Sequence, residues 1–211
     1  MHNVDLTLDV GANKGQFAQS LFAAGYPGRI VSFEPLPQVY TELSKTAKLF
    51  GDRWIIGPQI ALSDRTGIAE FYVTASDTSS SLFQPTKNFT NSLSEVRVVD
   101  HIEVKTGRLD DVASPYILDV KNLFLKLDVQ GGEQLVLNGA GDILSRACGI
   151  ITELCVDSLY SGQPPVTDMM ELLASYGFEI WDISSAYRQP QSLRLGAIDL
   201  VCFKPPTTSE L

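Results

Sequence analysis

A strand-like run, Val4–Val10 (VDLTLDV), stops at the turn Gly11-Ala12-Asn13-Lys14-Gly15 and passes straight into a helix-like segment, Lys14–Ala24. On that segment Phe17, Leu21 and Phe22 share one side. No other feature narrows the fold as much. Gly25 and Gly28, flanking Pro27, stop the helix. Arg29–Glu34 (RIVSFE) then reads as a second strand, Pro37–Phe50 as a second helix opened by prolines, and Trp54–Leu62 as a third strand. Strand-helix-strand-helix-strand predicts an α/β fold with a parallel sheet and right-handed crossovers.

The middle of the chain changes character. Ala69–Thr74 (AEFYVT) and Val96–Lys105 (VRVVDHIEVK) alternate apolar and polar residues, as strands or extended segments do. Between them, Ser76–Ser94 is rich in Ser, Thr and Asn and reads as a long loop over the sheet edge or a pocket mouth, a length that suits a lid. Alternation then resumes. Leu123–Val129 (LFLKLDV) is almost continuously hydrophobic, which suggests a central strand buried on both faces. Gly132–Asn138 starts a helix, Cys148–Val156 is another central strand, Val166–Ser175 a helix, and Phe178–Ile183 and Gly196–Phe203 the last two strands. With 211 residues, 44% of them hydrophobic, the chain has material for one buried core. It shows neither repeat nor linker, so residues 1–205 read as a single domain and residues 206–211 as a flexible tail.

Charge removes several function classes. Sixteen Lys and Arg against 25 Asp and Glu give a net charge of −9. That disfavours a nucleic-acid partner, whose phosphates need clustered Lys and Arg, and an anionic membrane surface. Met1–Asp5 lacks a basic leader, and no window of about 18 uncharged apolar residues occurs, so a cytoplasmic protein without integral membrane association is expected. Cys148, Cys155 and Cys202 lie in apolar, strand-like stretches without CxxC spacing and read as buried reduced thiols.

The turn after the first strand is the first chemical signal. A glycine-rich turn lets a ligand approach bare backbone and aims helix N–H groups at it. The pattern is GxNxG rather than GxGxxG, and Asn13 at the middle position tolerates a left-handed backbone. Asp9, just before the turn, would repel a diphosphate and attract a cationic amino-acid head group, which favours S-adenosyl-L-methionine over a dinucleotide. Glu34 ends the second strand 25 residues later, where an acid can accept both ribose hydroxyls. Ser63 and Asp64, after the third strand, can bond an adenine amino group or simply open the next bend. In Leu125–Glu133, Lys126 and Asp128 share one strand face at the sheet edge where ligands sit, and Glu153 ends the neighbouring strand. Glu133 falls in the first turn of a helix, where an acid also suits the dipole.

In this order the motifs resemble the FkbM family of S-adenosylmethionine-dependent methyltransferases. The resemblance is carried by LDVGANKGQF (Leu8–Phe17), SFEP (Ser32–Pro35), ALSDRTGIAEFYV (Ala61–Val73), LFLKLDVQGGEQLVLNGA (Leu123–Ala140), ITEL (Ile151–Leu154) and the spacer Arg108–Asp111. It implies a Rossmann-like class I fold: a mostly parallel seven-stranded sheet, its last strand antiparallel, with helices on both faces. It also implies methylation of a hydroxyl on a sugar, glycolipid or polyketide-type natural product. The cofactor set it points to is Asp9, Gly11, Asn13, Gly15, Glu34, Pro35, Ser63, Asp64 and Asp128. Two features depart from the family pattern. Gln130 stands where members usually carry Glu, and no metal is assigned. Members often have an N-terminal extension that caps the site. Here either that extension is missing or the Ser76–Ser94 loop and a partner subunit, as in a homo-oligomer, recognise the substrate.

Methyl transfer to oxygen needs alignment and removal of a proton. The candidates are Asp128 first, by its place on the central strand edge, then Glu153 and His101, with Lys126 holding Asp128 ionised, orienting an acceptor or forming a structural ion pair. Histidine in an alternating strand is more often structural. The competing classes are a non-catalytic methyltransferase-fold binding module and a dinucleotide oxidoreductase, the latter lacking its third glycine.

Overall fold

The computed structural model describes residues 3–205. Leu6–Val10 forms β1, buried along its whole length. Its neighbours are Arg29–Phe33 (β2) and Leu123–Leu127 (β7), both parallel to it. Trp54–Ile56 (β3) extends the sheet beyond β2, and Ala147–Cys155 (β8) extends it beyond β7. Two long strands, Glu179–Arg188 (β9) and Leu195–Phe203 (β10), complete a seven-stranded sheet of order β3-β2-β1-β7-β8-β10-β9. The last strand, β10, runs antiparallel to both β8 and β9. The mostly parallel Rossmann-like sheet with an antiparallel last strand is therefore present.

Alternation along the strands makes two layers. Leu6, Leu8, Val10, Leu123, Leu125 and Leu127 point into the main core, with Val136, Ile143 and Leu173 from the helices Glu133–Asn138 (α5), Gly141–Arg146 (α6) and Val166–Ser175 (α7). On the opposite face, Gln16–Ala23 (α1) and Pro37–Ala47 (α2) bury Ala18 and Leu43 against Ile30 and Trp54. Each fully buried Leu or Ile contributes about 1.5–3 kcal/mol relative to exposure, so this two-sided packing holds β1 and β7 rigidly.

Several boundaries differ from the expected ones. Trp54–Leu62 is two strands: Gly57 donates its N–H to Ser32 O at 2.9 Å, and a Cβ there would lie 2.3 Å from the Phe33 ring. Pro58 follows without an N–H, and the chain leaves the sheet. Ala61–Leu62 (β4) then joins a second sheet of order β4-β6-β5, with Gly67–Thr74 (β5) and Val98–Gly107 (β6). α1 begins at Gln16 rather than Lys14 because Gly15 is left-handed, with φ +86°. Two further short helices, Lys87–Ser92 (α3) and Leu109–Ala113 (α4), occupy segments with little helical periodicity. The expected tail, residues 206–211, lies outside the described residues. Among the described residues no helix is long and apolar enough to cross a membrane.

Candidate active site

A cavity of about 440 Å³ opens at the carboxyl ends of β1, β2 and β7. It is bordered by Gly11, Asn13, Glu34, Lys126, Asp128 and Glu153, together with residues of the Ser76–Ser94 segment. This is the edge where open α/β sheets place ligands.

Strand register builds the floor of the site. Asp9 on β1 lies opposite both Ser32 on β2 and Lys126 on β7. Asp9 is fully buried; Lys126 Nζ approaches its Oδ1 at 3.1 Å, and Ser32 Oγ donates to its Oδ2 at 2.9 Å. Trp54 Nε1 in turn donates to Ser32 Oγ at 2.9 Å. The ammonium also donates to the carbonyls of Gly11 at 2.7 Å and Val10 at 3.4 Å, while Asp128 Oδ2 stands 3.9 Å away. Burial works against the Lys126 charge, but Asp9, Asp128 and Glu34 outweigh it and hold the ammonium above its ordinary pKa. Asp9 was expected to face a cationic head group. Instead its charge is enclosed, does not border the cavity, and is answered by Lys126, which commits its donors to bracing the glycine turn.

The turn itself cradles Glu34. Gly11 and Ala12 N–H groups donate to Phe33 O, Asn13 N–H donates to Glu34 Oε2 at 2.9 Å, and Leu36 N–H donates to Oε1 at 2.9 Å. Asn13 adopts φ +48°, the left-handed backbone its residue type tolerates. Pro35 borders the cavity beside Glu34. Burial pushes the Glu34 carboxyl up to about 7, against the opposing pull of the Leu36 and Asn13 N–H groups.

Packing also requires glycine at positions 11 and 15. A Cβ on Gly11 would fall 1.9 Å from Asp128 O, and one on Gly15 would fall 2.3 Å from the Trp54 ring. Gly11, at φ +71°, thus allows the β1 and β7 loops to touch while its backbone borders the cavity. Gly11→Ala is expected to separate those loops, lowering the melting temperature and weakening cofactor binding together. Normal stability in thermal melts of Gly11→Ala would contradict this.

Carboxylates converge at the β7–β8 end. Gln130 Nε2 donates to Asp128 Oδ1 at 2.7 Å and to Glu153 Oε1 at 3.4 Å. Glu153 lies two residues inside the end of β8, with Asp199 of β10 directly opposite in register. Burial, then the charges of Asp128, Glu133 and Asp199, push Glu153 up to about 8. Glu133 caps the loop, accepting from Val129 N–H at 2.9 Å, and burial pushes it up to about 7.

Glu34, Glu133 and Glu153 each bind a proton more tightly folded than at their ordinary value of 4.5. Between that value and about 7–8 the folded chain holds protons that the unfolded chain releases. Stability of the cofactor-free protein should therefore fall as pH rises through this window and level off above it. A melting temperature that rose steadily from mildly acidic to mildly alkaline pH would refute the assignment.

Other predicted residues lie elsewhere. Ser63 Oγ donates to Asp64 Oδ1, Asp64 pairs with Arg65, and neither Ser63 nor Asp64 borders the cavity. His101 sits on β6, 3.2 Å from Glu70 and edge-on to Tyr72, remote from the cavity lining. Cys155 and Cys202 are buried and Cys148 half-buried, all as free thiols. The Ser76–Ser94 segment is ordered into a wall. Asp77 accepts from Asn13 Nδ2 at 3.3 Å and pairs with Lys14 at 2.9 Å, while Ser81 donates to Val129 O at 3.3 Å. Asp77, Ser80 and Asp199 border the cavity although no motif marked them. Asp77 and Ser80 lie in the Ser76–Ser94 segment expected at a pocket mouth, and Asp199 carried a signal as an acid within an otherwise apolar strand.

The Methyltransferase FkbM domain matches residues 9–180. The 2-O-methyltransferase NoeI of Sinorhizobium fredii is 32% identical over 176 residues, covering 80% of this chain and 71% of the relative. Among solved structures, the magnesium protoporphyrin IX methyltransferase of Synechocystis with bound S-adenosylmethionine aligns at TM-score 0.50 and 12% identity, over 96% of this chain and 71% of that one. Aeropyrum pernix fibrillarin, in complex with S-adenosyl-L-methionine, aligns at 0.50 and 14%, over 95% and 66%. The structural likenesses carry the fold, and the sequence matches carry the family. The chain belongs to the FkbM family of S-adenosylmethionine-dependent methyltransferases.

Proposed function

We propose that the chain transfers a methyl group from S-adenosylmethionine to a hydroxyl oxygen of a small-molecule acceptor, a sugar, a glycolipid or a natural product. The observation that carries this reading is the placement of Asp128 and Glu153 on the same cavity as Glu34. Carboxyl groups are apt acceptors for a hydroxyl proton, and the relative NoeI is a 2-O-methyltransferase. When bound, the cofactor supplies an electrophilic methyl on a sulfonium leaving group. The protein's part is to hold Glu34 on the ribose hydroxyls, keep the glycine turn closed through Lys126, and take the acceptor proton at Asp128 as the carbon–oxygen bond forms.

The test is a screen of sugars, glycolipids and hydroxylated natural products with S-adenosylmethionine, read by mass spectrometry for a product heavier by one CH2 and by formation of S-adenosylhomocysteine. Methylation confined to nitrogen or carbon acceptors would defeat the hydroxyl assignment.

Glu34→Ala should weaken cofactor binding by about 1.5–3 kcal/mol, the scale of charge-assisted hydrogen bonds. The ribose hydroxyls donate best to an ionised carboxylate. Because Glu34 titrates near 7 in the free protein, affinity should tighten as pH rises through that value. Glu34→Gln should flatten the slope. Calorimetry across this range that shows equal slopes in both proteins removes Glu34 from the ribose.

A further inference from the structure

Tyr160 belongs to none of the sequence motifs, yet it is among the largest fully buried side chains. Its hydroxyl donates to Gln130 Oε1 at 2.7 Å and also lies 3.1 Å from Ser79 O. The amide is thereby turned so that Nε2 faces Asp128 Oδ1 and Glu153 Oε1. Carbonyl-type carboxyl oxygens accept, so the nitrogen is the end of the amide that suits both Asp128 Oδ1 and Glu153 Oε1. The backbone supports the same placement. Gln130 is held at φ +60°, a left-handed conformation that costs a side-chain-bearing residue energy, and Gly131 follows at +90°. A Cβ on Gly131 would lie 2.8 Å from the Tyr160 Cβ, so the tyrosine packs directly on this turn.

We infer that Gln130, oriented by Tyr160, is a positioning residue for methyl transfer: its carboxamide, donating to Asp128 Oδ1, holds that side chain aimed at the cavity and separated from Glu153. This rests on the reading of Asp128 as the proton acceptor. The titratable groups facing Asp128 are Lys126 on β7, Glu133 on α5, Glu153 and Cys155 on β8, Tyr160 on the segment after β8 and Asp199 on β10. Three of them are carboxyl groups and only Lys126 is cationic, which makes a neutral donor the fitting neighbour. A carboxylate at position 130 would instead bring a further negative charge against Asp128 and Glu153, and the cluster would have to take up a proton.

The deciding experiment titrates the Asp128 side-chain carboxyl by ¹³C NMR in full-length protein saturated with S-adenosylhomocysteine, its signal assigned by loss in Asp128→Asn. Gln130→Asn keeps a residue that tolerates the left-handed backbone but withdraws the amide by one methylene. It should move the Asp128 midpoint up by about one pH unit, a tenfold change in proton affinity. Tyr160→Phe, which frees the amide to rotate, should move it in the same direction by less, and Gln130→Glu should move it further. A purely structural role for Gln130 would lower the melting temperature and leave the midpoint in place. An unmoved midpoint in Gln130→Asn overturns the inference, even if Tyr160→Phe does not fold. No acceptor is present, so this outcome does not depend on Asp128 being the base. With the acceptor returned by the screen, kcat of Gln130→Asn should fall about tenfold below the new midpoint while KM for S-adenosylmethionine stays constant. A moved midpoint with unchanged kcat overturns the catalytic part and, with it, Asp128 as base.

Discussion

Asp128→Asn is expected to lower kcat by about 10²–10⁴-fold, the range for loss of a positioned general base, with S-adenosylmethionine affinity changed only a few-fold. The substitution keeps the side-chain shape and removes the charge. Asp128 follows β7 directly and borders the cavity, and its Oδ1 already accepts from Gln130. The competing view makes Asp128 the structural partner of Lys126. The distances favour Asp9 for that role, at 3.1 Å against 3.9 Å. Loss of the more distant carboxylate therefore leaves the buried ammonium paired, and the melting temperature should change little. Turnover and melting temperature must be measured on the same preparation. Reduced stability with near-normal turnover per folded molecule would shift the proton acceptor to Glu153, two residues inside the end of β8.

The largest loss of stability is expected at Asp9. Asp9→Asn removes the carboxylate closest to the ammonium of Lys126, a residue only 8% exposed. Breaking a buried pair on one side leaves an uncompensated charge and costs about 3–5 kcal/mol, a large part of the 5–15 kcal/mol that holds a typical domain together. Lys126 also braces the carbonyls of Val10 and Gly11, so cofactor affinity should fall with it. Lys126→Met added to Asp9→Asn should recover much of the stability, because the pair is then removed as a unit, but not the affinity. Chemical denaturation of the two single variants and the double variant gives the coupling. A cost below about 1 kcal/mol for Asp9→Asn would mean that the ammonium is relieved by water or by Asp128 instead.

The sequence by itself determined the repeating strand-turn-helix order, the sheet edge on which the chemistry sits, and the family. These are written locally. A period of two marks VDLTLDV as a strand, a nearly continuous hydrophobic run marks LFLKLDV as another, and a period of 3.6 marks Phe17–Leu21 as a helix face; Gly11, Gly15 and Glu34 stand at the ends of such runs. Tertiary structure decided what those residues do. Asp9 and Lys126 are 117 positions apart and meet only because β1 and β7 pair in one register. That register turned Asp9 from an expected ligand group into the counter-ion of a lysine. Gly11 is required by the Asp128 carbonyl of a neighbouring loop, and no local pattern encodes that contact. Trp54–Leu62 reads as one strand from its apolar ends, WII and IAL, but Gly57, pressed against Phe33, and Pro58 divide it between two sheets. Tyr160 and Asp77 reach the site from segments without periodicity. Local composition sets which residues can be buried or turned. Which charges face one another depends on strand register and loop closure, and those are properties of the whole packed chain.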